Sequence, residues 1–268
     1  MAGGRGTRLR PLTDQHPKPM LPFIDKPVLA HTLNLLKHFG FTEVIITVHY
    51  LAEQIQDYFG DGHDRGMSIR FAVETTPLGT AGSVKNAEPH LGPEPFLVIS
   101  GDIITDIDLG QVLKFHQTRG ALITLILKSM PDVRGYGMVT TDHQGKVTQY
   151  TEKPACMQAV PATINTGIYM VDPTLLGLMK RGQAYDFSLD IFPKLLARKM
   201  PIFGFITQGY WSDIGTIESF LKTGADALAG RIKYVQVKRP IDYALTMHHV
   251  PAIDVDSLTG DISRSLRS

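Results

Sequence analysis

The chain has 268 residues, 43% of them hydrophobic and 20% charged, with a mean hydropathy of -0.02; this is ordinary globular composition, long enough for one large α/β domain or two small ones. A net charge of only +1 excludes the whole-protein basic field that draws nucleic acid or a membrane surface, so any phosphate affinity must be local. One cysteine, Cys156, excludes an internal disulfide framework and a cysteine-rich zinc site and fits a reducing cytoplasm, while no apolar run reaches membrane-spanning length and no signal-peptide core opens the chain.

The first stretch, AGGRGTRLRPLTDQHPKPMLPF, sets Gly3, Gly4 and Gly6 beside Thr7, Arg8 and Arg10, and places Lys18 between two prolines. Glycines let backbone N–H groups approach a ligand closely, and successive N–H groups in such a turn form an anion-binding hollow that guanidinium and ammonium groups complete. The pattern reads as a polyphosphate grip. Glycines alone are more often an ordinary turn. A dinucleotide fingerprint would need a third glycine where Leu9 stands, and a P-loop would need the absent Gly-Lys-Ser/Thr.

Apolar residues then recur at helical spacing from Val28 to Phe39, with Gly40 where a helix-ending glycine belongs. EVIITV reads as a buried strand over 43–48, residues 51–59 as a helix and 68–73 as a strand. A helix over 80–91 should stop early at Pro89; 95–100 is a strand, 109–119 a helix capped by Asp108, and 121–127 the next strand. Short strands follow at 138–141, 146–151 and 164–171, then helices over 173–180 and 187–199, a strand over 202–206 and a closing helix over 217–229. The alternation predicts an α/β fold with a mostly parallel sheet, helices on both faces, and ligand beyond the carboxyl ends of the strands.

Asp102 directly follows the strand PFLVIS beside Gly101, where a carboxylate can hold Mg²⁺; its commoner use is to cap a turn. Asp106 and Asp108 read as turn and cap residues. Asp213, in GYWSDIGT beside the single tryptophan Trp211, is either a second ligand converging on the same sheet edge or an N-cap for the closing helix. Glu152 and Lys153 in QYTEKP, taken bare, are solvated surface. Gly79 and Thr80 in PLGTAGSV allow close backbone approach or simply start a helix. Neither the histidines, including His248 and His249, nor Cys156 forms a ligand or nucleophile pattern.

AGGRGTRLRPLT followed by PKPMLPF resembles the signature of the sugar-nucleotide pyrophosphorylases, nucleotidyltransferases that join a nucleoside triphosphate to a sugar 1-phosphate. The resemblance covers roughly residues 2–230 and implies a Rossmann-like three-layer fold of the GT-A type. It implies that Ala2, Gly3, Gly4, Gly6, Thr7, Arg8, Gly79 and Thr80 bind nucleotide, that Asp102 and Asp213 hold Mg²⁺, and that Arg8 and Lys18 act on the phosphates. Gly137 in RGYGMV, Glu152, Lys153, Asn165 in INTGIYM and Asp186 in YDFSLDIFP correspond to sugar-phosphate contacts, Asp186 more weakly and with Asp190 as a structural neighbour. Within the family the combination GTRLRPLT, PKPM and PLGTAG looks most like the mannose-1-phosphate guanylyltransferases; glucose 1-phosphate with UTP, dTTP or ATP is the nearest alternative, and a non-catalytic sugar-nucleotide-binding regulatory homologue is the other class.

The resemblance further implies a short apolar strand ahead of the glycines, of which only Met1 and Ala2 stand here. Its absence should cost the phosphate loop its anchor and the sheet its central pairing. Residues 231–268 show neither hexapeptide spacing nor an amphipathic period, so an irregular tail is expected there. The implied partners are a nucleoside triphosphate and a sugar 1-phosphate, with no nucleic acid and no membrane; a homo-oligomer is left open, and the expected location is cytoplasmic.

Overall fold

The computed structural model describes residues 1–4, 6–152 and 162–235, and the following concerns those residues. In chain order the strands and helices are β1 (Pro22–Phe23), β2 (Lys26–Pro27), α1 (Val28–His38), β3 (Glu43–Val48), α2 (Ala52–Phe59), β4 (Ser68–Val73), α3 (Gly79–Ala87), β5 (Phe96–Ile99) and β6 (Ile103–Thr105). They continue with α4 (Leu109–Arg119), β7 (Ile123–Met130), β8 (Met138–Thr141), β9 (Val147–Thr151), β10 (Ala162–Val171), α5 (Phe192–Ala197), β11 (Ile202–Thr207), β12 (Trp211–Asp213) and α6 (Ile217–Leu228).

The parallel pairs that the strand–helix alternation demands are present: β3 runs parallel to β4, and β11 parallel to β7. The sheet is nevertheless mixed. β10, ten residues long, lies antiparallel to β7 on one side and to β5 and β8 on the other, and β9 extends β8 as a hairpin. A register shift between Asn165 and Tyr169, around Gly167 at φ 76°, bends β10 where it passes from one partner to the other.

Two segments expected as regular helices are tighter or wider than α. Pro173–Leu178 is a 3-10 turn capped by Asp172, and Phe187–Ile191 is a π-helical turn leading into α5. The helix begun at Gly79 ends at Ala87 and gives way to a 3-10 turn, Glu88–His90, because Pro89 has no N–H to continue it. Asp108 caps α4 by accepting from the Gln111 amide at 3.0 Å. Asp213 does not cap α6; Thr216 does, in a capping box with Ser219.

Three apolar clusters hold the elements. One joins α1, β3, α2 and β10 through Leu33, Val48, Ile55 and Met170. A second, under β7, β10 and α5, is built on Leu125, Tyr169, Phe187 and Phe192. The third packs Leu9 and Phe23 against Ile214, Ile232 and Val235, so ordered packing runs five residues into the stretch expected to be irregular; the rest of that stretch, 236–268, lies outside the described residues.

Between β3 and β5 the sheet is open, with a cavity of about 470 Å³ lined by Leu33, Leu36, Val44, Ile46, Leu97 and Ile99 among others. Met1 and Ala2 enter its carboxyl-end mouth and pair with both sides: Met1 N donates to Ile99 O (2.8 Å), Gly101 N to Met1 O (2.7 Å), and Ala2 N to Thr47 O (2.9 Å). The loop was expected to lack an anchor, and it has one. Three backbone hydrogen bonds hold the loop in place. Among the described residues no helix is long and apolar enough to cross a membrane.

Candidate active site

The glycine stretch leaves the sheet at Ala2 and turns through Gly6, which sits at φ 62° and starts a 3-10 turn over Thr7–Leu9. A Cβ on Gly6 would lie 3.0 Å from Thr13 Cγ2 and 3.1 Å from Lys18 Cβ, so the turn closes directly over the lysine. Thr13 Oγ1 secures it by donating to Gly6 O at 2.8 Å. The pattern Pro-Lys-Pro has a local reason: Pro17 caps a single 3-10 turn, Lys18–Met20, and Pro19 lies within it, so the lysine backbone is fixed with few alternatives.

The Lys18 ammonium bonds Asp102 Oδ2 and lies 3.4 Å from Asp213 Oδ1. Only 11% of the lysine side chain is exposed. The two aspartates meet because β6 and β12 pair antiparallel with Asp213 opposite Ile103, the neighbour of Asp102, and because Ile214 N donates to Asp102 O at 3.0 Å. Convergence was expected from the ends of two sheet strands. It is achieved instead by a two-stranded ribbon that periodicity does not reveal, since each strand is only three residues long.

Burial, and then the neighbouring Asp102 charge, raise the proton affinity of Asp213, against the pull of Lys18 and Arg8. Arg8 is exposed, and its Nη2 and both Asp213 carboxylate oxygens border Gly215, each within 3.2 Å of where a Cβ would stand. Tyr136 adjoins the same charges: burial foremost, then Asp213, raise its hydroxyl pKa while Arg8 lowers it. Its ring meets Trp211 edge-on at 5.6 Å, and Trp211 Nε1 donates to Thr166 O at 3.1 Å. Among the described residues no three or more His, Cys, Asp or Glu gather as a metal centre. Two hard-oxygen carboxylates fit Mg²⁺ all the same, because that ion completes its shell with water and phosphate.

A second group lies along β8, β9 and β10. Asn165 N donates to Gly137 O (2.8 Å), and Asn165 Nδ2 donates to the Tyr169 hydroxyl (2.9 Å). Tyr150 donates to Glu152 Oε2 at 2.6 Å and hydrogen-bonds Ser188 Oγ at 2.7 Å. A Cβ on Gly137 would stand 2.0 Å from the Tyr150 oxygen, so only glycine permits this packing. Gly137, Glu152 and Asn165 thus come together, while Lys153 lies outside the described residues. Tyr150 and Tyr169 went unread in the sequence. Their signal was available: Tyr150 and Glu152 are two residues apart on an extended segment and so share a face.

Gly79 is at φ 71°, and a Cβ there would meet Tyr185 O at 2.6 Å. Thr80 is not the helix cap, a position taken by Leu78. Its Oγ1 donates to Asp186 Oδ2 (2.9 Å) and accepts from Phe187 N (2.9 Å), while Asp186 Oδ1 accepts from Ser188 N (2.8 Å) and Leu189 N (3.1 Å). Thr80 and Asp186 therefore tie α3 to the π-helical turn, and both Asp186 oxygens serve that tie.

Glu74 was also missed. It is buried, with Oε1 accepting from Ser83 Oγ at 2.5 Å and Oε2 from Leu78 N at 3.1 Å, and Oε1 lies 3.8 Å from where a Cβ on Gly3 would stand. A carboxylate is thereby held against the glycine loop.

A family model described as nucleotidyl transferase matches residues 1–230. The chain is 37% identical over 251 residues to a UTP–glucose-1-phosphate uridylyltransferase of Synechocystis sp., covering 88% of this chain and 64% of the relative. It is 36% identical over 233 residues to a mannose-1-phosphate guanylyltransferase of Mycobacterium tuberculosis, covering 86% of this chain and 64% of the relative. The chain thus spans less than two thirds of the length of these curated relatives. Among solved structures it resembles HddC from Yersinia pseudotuberculosis complexed with GMP-PN, with a TM-score of 0.73 and 28% identity, covering 84% of this chain and 96% of that one.

Proposed function

The chain belongs to the nucleotidyl transferase family, and from that premise we propose that it joins GTP to mannose 1-phosphate, giving GDP-mannose and pyrophosphate. The observation that carries this reading is Lys18 set between Asp102 and Asp213 beneath the glycine turn. A phosphate oxygen of the sugar 1-phosphate attacks the α-phosphorus in line; the bond from that phosphorus to the α–β bridging oxygen breaks, and pyrophosphate leaves with the electron pair. Such a transfer depends on positioning and on neutralising charge, and it needs no covalent enzyme intermediate.

Arg8 is assigned to the triphosphate, Lys18 to the charge that builds at the α-phosphate, and the amides around Gly3, Gly4, Gly6 and Thr7 to the β- and γ-phosphates. Mg²⁺, held by Asp102 and Asp213, supplies further charge neutralisation at the phosphates. Ala2, Gly79 and Thr80 flank the nucleoside, Thr80 being held by Asp186; Gly137, Glu152, Lys153 and Asn165 hold the sugar phosphate. The catalytic domain takes in residues 1–235, and the enzyme works in the cytoplasm.

Glu74 supports guanine. A carboxylate is acceptor-only, and each Glu74 oxygen keeps a lone pair beyond its bond to Ser83 or Leu78. Guanine offers two adjacent donors, N1–H and N2–H₂, whereas uracil and thymine offer one N–H between two carbonyl acceptors that a carboxylate repels. The name of the Synechocystis relative favours a second reading, glucose 1-phosphate with UTP. A binding-only homologue is disfavoured, since the described catalytic positions are all filled.

The test is pyrophosphate release by purified protein with Mg²⁺, offering each nucleoside triphosphate in turn with mannose 1-phosphate and with glucose 1-phosphate. Release with GTP alone is expected, and Glu74→Gln should lower the preference for GTP over UTP at least about tenfold. Release only with UTP and glucose 1-phosphate would move the specificity to the second reading. No release with any pair would return the chain to a binding role.

A further inference from the structure

We infer that Lys18 is the resident counter-ion of the Asp102–Asp213 pair, and that a divalent cation enters by displacing its ammonium, which then becomes free to meet a phosphate. Nζ bonds Asp102 Oδ2 and reaches Asp213 Oδ1 at 3.4 Å, so it occupies the position between two carboxylates that a bound cation would take. Its backbone is fixed between Pro17 and Pro19, and its Cβ sits under Gly6. Only the outer part of the side chain can move, and the glycine turn lies directly above it.

An ammonium and a dication cannot share two oxygens at hydrogen-bond distance, because like charges that close repel strongly. Without nucleotide the lysine competes with the metal and keeps its affinity low. A triphosphate above the turn offers the ammonium another anion and offers the metal further oxygen ligands. The two ligands should therefore bind with positive coupling, and that coupling passes through one side chain. The phosphate half rests on the nucleotidyl transfer proposed above; the displacement half does not.

The experiment measures Mn²⁺ binding by electron paramagnetic resonance at constant pH, on wild type, Lys18→Met and Lys18→Arg, each checked for folding by circular dichroism. Without nucleotide, Lys18→Met should bind Mn²⁺ at least about tenfold tighter than wild type, while Lys18→Arg, which keeps the charge, should stay weak. GTP should tighten Mn²⁺ binding more in wild type than in Lys18→Met. Equal or weaker Mn²⁺ binding by folded Lys18→Met would overturn the inference. Should that variant fail to fold, wild type decides: Mg²⁺ alone should raise acetic-anhydride labelling of Lys18, read by mass spectrometry, and unchanged labelling at saturating Mg²⁺ would overturn it. Turnover is not among these readouts, so failure of the proposed reaction leaves the displacement result standing.

Discussion

Asp102 follows a short strand and Gly101, and the structure sets it against Lys18 together with Asp213. If the pair holds the metal, Asp102→Ala should lower turnover by at least about 10²-fold, while affinity for the sugar 1-phosphate changes far less. Calorimetry with the sugar phosphate beside a pyrophosphate assay separates the two effects. An Asp102→Ala protein that turned over near the wild-type rate would remove the metal assignment. At this scale, contiguous strings named residues that the structure gathers: Gly6 over Lys18, Lys18 between Asp102 and Asp213, and Gly137 bonded to Asn165. Glu74 was not legible, since a lone glutamate beside two threonines signals nothing until Ser83, Leu78 and Gly3 surround it. Thr80 and Asp186 show the reverse, for their mutual hydrogen bond gives both a structural use that a strand-by-strand reading leaves out.

Between elements, α4 rests on β7 partly through His116, which is buried with Nδ1 2.9 Å from Thr124 Oγ1. Burial lowers its pKa, against a weaker upward pull from Asp172; burial likewise lowers that of His31 beneath β1. The unfolded chain therefore takes up these protons at a higher pH than the folded one does. Stability should be full above the ordinary histidine pKa near about 6.5 and should fall as the pH drops from there through the lower folded values. Urea titrations at stepped pH check this, and His116→Asn should flatten the slope. A slope of opposite sign, or one untouched by His116→Asn, would refute the assignment. Helices at this scale were largely readable, because α1, α4 and α6 repeat their apolar residues over eleven or twelve positions. The three-residue strands β6 and β12 were not; they exist through pairing with each other.

For the molecule as a whole, the opening between β3 and β5 interrupts the sheet. Met1 and Ala2 arrive at the carboxyl ends of both strands, so residues joined ahead of Met1 in extended form would run parallel to each and fill the apolar gap. Buried Thr47 Oγ1, which has no hydrogen-bond partner among the described residues, stands in the same lining. Adding about five alternating valine and isoleucine residues before Met1 should raise the thermal midpoint by about 5 °C or more, whereas a Gly/Ser addition of equal length should leave it unchanged. Calorimetry on the two extended proteins beside the parent decides the matter. If both extensions leave the midpoint where it was, the gap does not take a strand.

What the sequence by itself determined is whatever depends on neighbours along the chain. Apolar period and capping residues produced the helices and long strands, and the glycine, lysine and aspartate strings carried the resemblance to the nucleotidyltransferases. Tertiary structure decided what depends on distance through space. It ran β10 antiparallel through the middle of the sheet, joined Asp102 to Asp213 across a short ribbon with Lys18 between them, and held Glu74 against Gly3. The physical reason is that a charge or a hydrogen bond acts over a few ångströms of space, whatever number of residues lies between its partners.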